Sequence, residues 1–159
     1  MVEKLIPEIS PSEIDFHFGE ASKTSRRRSP LILHKKGDYC NKVFNFILMD
    51  SYMHPHLHPS SEKIEKMYLV KGSFGLLIFD DDGKVTDTII LEEEGKTFLE
   101  VPAFTWHTYV MFSEKTIIYE TMEGKYNPDS WKQLASWAPS ENSSKANSYL
   151  LNLKKQATK

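Results

Sequence analysis

From Leu31 to Met122 the apolar residues fall in short runs separated by turn residues, and no stretch between them keeps a helical period. The runs are Leu31-Ile32-Leu33, Val43 to Met49, Met67 to Val70, Phe74 to Phe79, Val85 to Leu91, Thr97 to Val101, Trp106 to Phe112 and Thr116 to Met122. They are rich in Ile, Val, Phe, Thr and Tyr, the residues that suit a pleated, half-buried surface. Lys71-Gly72, Asp80-Asp81-Asp82-Gly83 and Glu92 to Gly95 punctuate them, because Asp and Gly tolerate the positive φ of tight turns. The regular spacing predicts an all-β antiparallel sandwich or barrel over residues 31–126. Residues 1–30 are mixed and polar, with weak helical or strand character around Ile14 to Phe18, and read as an N-terminal extension. In the C-terminal segment, 127–159, Asn127-Pro128-Asp129-Ser130 before WKQLASW predicts a capped short helix. The remaining tail is rich in Ser, Asn and Lys, with one apolar patch at Tyr149 to Leu153 that suits a short helix against the body or a mobile end.

Composition narrows the class. A chain of 159 residues, 40% of them apolar, is one domain with room for a genuine core. The formal charge of -2 gives no general attraction for nucleic acid or anionic lipid, and Arg26-Arg27-Arg28 is too short a basic run to act as a nucleic-acid footprint. Cys40 is the only cysteine, which excludes an internal disulfide framework and fits a reducing compartment. Residues 1–16 lack the apolar core of a secretory signal, and no apolar stretch has the length of a membrane span. The expectation is a cytoplasmic protein that engages neither membrane nor nucleic acid.

Chemistry concentrates at the histidines. Of six in the chain, three are His54, His56 and His58. In an extended segment positions i and i+2 share a face, so His56 and His58 can reach one ion together. Pro55 and Pro59 bracket the pair, which predicts a bent, non-pairing rim segment. Glu65 and His107 complete a nitrogen and oxygen ligand set for one divalent transition metal: Fe, Mn, Ni, Co or Zn. Four protein ligands leave open positions on a six-coordinate ion, the mark of a reactive site rather than a closed structural one.

These residues carry a resemblance. His56-x-His58, with six residues between Glu65 and Gly72, is similar to the first cupin motif, G(x)5HxH(x)3,4E(x)6G. Gly95, Pro102 and His107 resemble the second, with Phe104 where the motif has glycine and Met111 where it has asparagine. Six residues separate His58 from Glu65, more than the motif allows, so Glu62 competes for the carboxylate role; Glu65 keeps the correct distance to Gly72. SRRRSPLILH (25–34), YMHPHLHP (52–59), LLIFDDDGKV (76–85), LEVPAFTWHT (99–108), YETMEGKYNP (119–128) and WAPSE (137–141) together resemble the WbuC-type cupin-fold metalloproteins, found with O-antigen and lipopolysaccharide biosynthesis genes. The resemblance implies a double-stranded β-helix, or jelly roll, with His56, His58, Glu65 and His107 as ligands.

It further implies a metal-dependent enzyme acting on a small polar substrate, a sugar or nucleotide-sugar intermediate of polysaccharide biosynthesis. An isomerase or epimerase, a hydrolase and an iron dioxygenase all stay open. The alternatives are a binding or sensing cupin without turnover, and a metal-free epimerase-like cupin with a histidine base and a tyrosine acid. Candidate substrate contacts are Arg26 and Arg28 at the barrel mouth, where a guanidinium grips a carboxylate or phosphate. His34, His54, Tyr119 and Glu120, with Tyr126 beyond the last strand, are further candidates; each is equally explained by packing or exposure. Trp106, Trp131 and Trp137 read as packing or subunit contact, and exposed strands in small barrels make a homodimer a reasonable expectation.

Overall fold

The computed structural model describes residues 5–158; positions 1–4 of the expected N-terminal extension and position 159 of the tail lie outside the described residues. Two five-stranded antiparallel sheets face one another. The first has the order β1 (Arg28–Ile32), β2 (Cys40–Leu48), β9 (Lys115–Glu123), β4 (Glu65–Lys71), β7 (Phe98–Val101). The second runs β10 (Gln133–Leu134), β3 (His56–Leu57), β8 (His107–Met111), β5 (Ser73–Phe79), β6 (Val85–Glu92). Strands close in sequence thus alternate between sheets, which is the jelly-roll arrangement.

Strand parity divides each strand between two environments. Ile47, Met67, Leu69, Phe74, Leu76, Leu91, Leu99, Met111 and Ile118 form one buried cluster between the sheets. The residues of opposite parity form two further clusters, each beneath a helix. Helix α1 (Pro11–Lys23) lies on β1 and β2, setting Phe18 against Phe44, Phe46, Ile117 and Tyr119. Helix α2 (Ala146–Ala157) lies on β5, β6 and β8, burying Ala146, Leu150, Leu153 and Ala157 at the i, i+4, i+7 spacing of one helical face. α1 begins with a full capping box, Ser10 and Glu13 each bonding the other's backbone N–H, followed by Pro11 at its first position.

Two local expectations are corrected. The segment bracketed by Pro55 and Pro59 is paired on both sides, to β8 and to β10. Pairing is possible because the strand is only two residues long and both prolines fall outside it. The segment after Asn127 forms no helix: 133–134 adds to the edge of the second sheet, and Ala135 N–H continues the contact by donating to the Pro55 carbonyl. The C-terminal helix comes later, over 146–157. The predicted hairpin at 80–83 is present, with Gly83 at φ 90 and Asp80 Oδ1 accepting from the N–H groups of Asp82 and Lys84. Gly72 links β4 to β5 at φ 88, where a Cβ would stand 2.8 Å from the Lys115 carbonyl oxygen, so no other residue fits.

Candidate metal centre

β3 and β8 pair so that His56 lies directly opposite His107, with ring centroids 4.5 Å apart. His58 is two residues on, its ring 5.1 Å from His56 and 5.7 Å from His107. Glu65 is the first residue of β4 and reaches the same point from the facing sheet. All four are buried, and one ligand atom from each lies within 4.8 Å of every other.

The backbone fixes which nitrogen each ring presents. His56 Nδ1 donates to the His54 carbonyl at 2.9 Å, His58 Nδ1 to the Trp131 carbonyl at 2.9 Å, and His107 Nδ1 to the Thr105 carbonyl at 2.8 Å. A carbonyl only accepts, so each Nδ1 carries the hydrogen and each neutral ring keeps a bare Nε2. Two of these nitrogens stand 3.1 Å (His107) and 3.3 Å (His58) from Glu65 Oε2. A lone pair facing a carboxylate oxygen is repulsive unless positive charge lies between them. A divalent cation supplies that charge without disturbing the three carbonyl bonds, so the donor set fits a metal. Burial, then the neighbouring His107, lowers the pKa of His56 well below its usual value and keeps the ring neutral, the form that ligates.

Glu62 is not part of the cluster. Its carboxylate bonds the Ser60 hydroxyl and packs against Gly124. The extra residues between His58 and Glu65 therefore bulge away as a loop. Phe104 takes up the left-handed conformation, φ 59, that the motif's glycine would adopt, and donates its N–H to the His58 carbonyl. Met111 is buried in the apolar cluster.

Beside the four residues is a cavity of about 220 Å³. Of the sequence candidates, Arg26, Arg28 and Glu120 line it. Arg28 is buried, and its terminal nitrogens bond Ser51 Oγ, the carbonyls of Arg26 and Tyr52, and Glu141. Glu120 accepts from Asn45 Nδ2 at 2.6 Å, and burial, then the charge on Glu65, raises its pKa well above the usual value. The other candidates lie elsewhere. Tyr119 has the opposite parity to Glu120 and packs on Phe44 and Tyr68 beneath α1. His34 bonds the backbone of Lys42, and His54 Nε2 bonds the Ala135 carbonyl, so both rings serve local structure. Tyr126 is exposed and edge-on to Trp131. Trp106 and Trp137 pack on each other, as expected of core residues, but Trp131 is a cavity wall.

Asn41, Asn45, Tyr109, Trp131 and Lys132 also line the cavity, though none is among the site candidates of the sequence. A signal existed for three of them. Tyr109 follows His107 by two residues, and Asn41 and Asn45, four apart and so on the same strand face, mark an inward polar face. Trp131 and Lys132 carried none, because their segment was expected to be helical.

The family described as "Domain of unknown function (DUF6016)" matches residues 9–91, which include His56, His58 and Glu65. No curated protein matches the sequence. Among solved structures, protein SO0799 from Shewanella oneidensis superposes with a TM-score of 0.57 at 10% identity, over 76% of this chain and 82% of that one. CapF, solved with the inhibitor 3-isopropenyl-tropolone, gives 0.57 at 14% identity over 67% of this chain but only 31% of its own. Oxalate oxidase in complex with the substrate analogue glycolate gives 0.54 at 10% identity, over 71% and 57%. At such identities the likeness establishes the fold, a cupin-like double-stranded β-helix.

Proposed function

We propose, for a chain that belongs to the family described as a domain of unknown function (DUF6016), that His56, His58, Glu65 and His107 hold one divalent transition metal in a metal-dependent enzyme for a small, oxygen-rich substrate. The observation that carries this is the set of three Nδ1-to-carbonyl bonds, which leaves three bare Nε2 atoms gathered beside one carboxylate. When bound, the metal supplies Lewis acidity toward substrate oxygens. The chain's own residues do the rest. Cavity walls from both sheets and from the 131–132 segment enclose a molecule of modest size. Glu120 Oε1 is a buried carboxyl oxygen of that cavity with no hydrogen-bond partner among the described residues, placed to give or accept a proton on a bound substrate. This supports isomerase or epimerase chemistry. The resemblance of residues 25–141 to WbuC-type cupins supports a sugar-derived substrate in polysaccharide biosynthesis.

Elemental analysis of protein purified without a nickel column tests the reading. About one equivalent per chain of a first-row transition metal is expected, removable by a chelator and restored on reconstitution. Protein that carries no metal as purified and takes up none on reconstitution would refute it.

A further inference from the structure

Resting on the metal-site reading above, we propose that the cavity is built for a polyhydroxylated anion, a sugar acid or sugar phosphate, with hydroxyls bound by Asn41, Tyr109 and Glu120 and the anionic group by Arg26 and Lys132. Asn41 Oδ1, Tyr109 OH and Glu120 Oε1 are buried, line this one cavity and have no hydrogen-bond partner among the described residues. Their orientation is fixed from behind. Asn41 Nδ2 donates to the carbonyls of Met122 (3.3 Å) and Gly124 (2.6 Å), so its Oδ1 is the free end. Asn45 Nδ2 occupies Glu120 Oε2, leaving Oε1. Each buried polar atom left unpaired is desolvated without compensation, a cost that a ligand removes only by bringing the complementary group. Asn41 Oδ1 accepts and cannot donate, so a carboxylate or an alkyl chain leaves it unsatisfied. A hydroxyl donates to it and accepts from Tyr109.

The cavity rim has the opposite need. Arg26, Arg28 and Lys132 all line the cavity, and the two arginines share one carboxylate, Glu141. Arg28 is consumed by its own partners, and Arg26 Nε meets the same Glu141 oxygen only at 3.5 Å. Lys132 has no ion pair among the described residues, and the repulsion from Arg26 and Arg28 outweighs the attraction of Glu141 and Glu65. Arg26 and Lys132 are exposed, so their donors are free to take an incoming anion, which relieves that repulsion. Hydroxyl acceptors within and spare cations at the rim together define one ligand chemistry.

Calorimetric titration of the metal-loaded protein with four six-carbon probes tests this: glucuronate, glucose 6-phosphate, glucose and hexanoate. At least one of the two anionic sugars should bind at least about tenfold tighter than both glucose and hexanoate, and which one binds names the anionic group. Glucose binding equally well removes the role of the rim; hexanoate binding equally well removes that of the hydroxyl acceptors. Absence of binding by all four probes, with metal content intact, overturns the inference and leaves the metal reading standing. Failure to load metal counts against the metal reading instead. The double variant Arg26→Ala/Lys132→Ala should weaken the anionic sugar about tenfold or more with metal content unchanged. Tyr109→Phe, which conserves shape, should weaken the anionic sugars several-fold and leave hexanoate unaffected; equal affinity in both variants and wild type overturns the assignment.

Discussion

The two ends of the barrel interior are made from the same strands and have opposite chemistry. Inward positions on β4 read Glu65, Met67, Leu69, and on β8 they read His107, Tyr109, Met111. On β9 Glu120 gives way to Ile118, and on β2 Asn45 to Ile47. Two residues along a strand is a step of about 7 Å, and within one such step ligand or polar side chains give way to packing. Parity decides which face a side chain joins; position along the strand decides whether that face binds or only packs. The apolar end can therefore hold the sandwich together while the polar end keeps groups whose burial works against folding.

The sharpest way to break this contrast is to damage the packed end. Phe74 is fully buried in the apolar cluster, and Phe74→Ala should cost about 3–5 kcal/mol, read as a lower denaturation midpoint with an unchanged m-value. The fraction that remains folded should still take up metal in full. Loss of metal stoichiometry in that fraction would show that the two ends are coupled and not separate. At the polar end the effects should reverse. His58→Ala should lower metal affinity more than the 10- to 100-fold typical of a group that only supports a ligand, so by more than about 100-fold, with little change in metal-free stability. His54→Ala should retain metal, because His56 is held by the His54 carbonyl and not by its ring.

A smaller effect is expected where the C-terminal segment is tied to the rim. Burial pushes Glu141 up, but Arg28, by charge and hydrogen bond, and then Arg26 hold its pKa below the ordinary 4.5. A carboxylate so depressed contributes stability above pH 4.5, and the contribution is lost as pH falls through the folded-state value. Glu141→Gln should therefore be less stable than wild type at pH 7, with the gap closing as pH falls below 4.5. A gap that stays constant with pH would mean that the pair contributes by shape alone.

Much of this architecture was legible in the sequence, for reasons that are local. Alternation and turn residues identify strands 74–79 and 85–91 and the hairpin between them, because both signals act within a few residues. The HxH pair is legible because i and i+2 share a strand face, and Glu65 because its distance to Gly72 matches the cupin motif that the chain resembles. Tyr119 and Glu120 cannot both face the site, because adjacent strand residues point opposite ways; parity alone assigns Tyr119 to the α1 side. The 131–135 segment was not legible at all. Its role, a carbonyl for His58 from Trp131 and another for His54 from Ala135, is carried by backbone atoms, which no side-chain pattern reports.

The mildest change tests the polar end from the backbone side. Among the described residues two non-glycine positions have left-handed φ, Arg27 at 57 and Phe104 at 59. Such a conformation costs a non-glycine residue about 1–2 kcal/mol. Arg27 recovers part of that through its guanidinium, which bonds Asp50 and the Ser22 carbonyl. Phe104 is 59% exposed and has no comparable side-chain hydrogen bond, so its ring recovers little. Phe104→Gly should relieve the strain, offset in part by the greater freedom of glycine in the unfolded chain, for a net gain of about 1 kcal/mol or 2–4 °C in Tm. Metal content should be unchanged, because the Phe104 N–H that bonds the His58 carbonyl is backbone and survives the substitution. Arg27→Gly should give no such gain, since it surrenders the contacts with Asp50 and Ser22. If Phe104→Gly instead destabilises the protein, the ring contributes more by packing over the site than its exposure indicates, and the polar end is held by more than its hydrogen bonds.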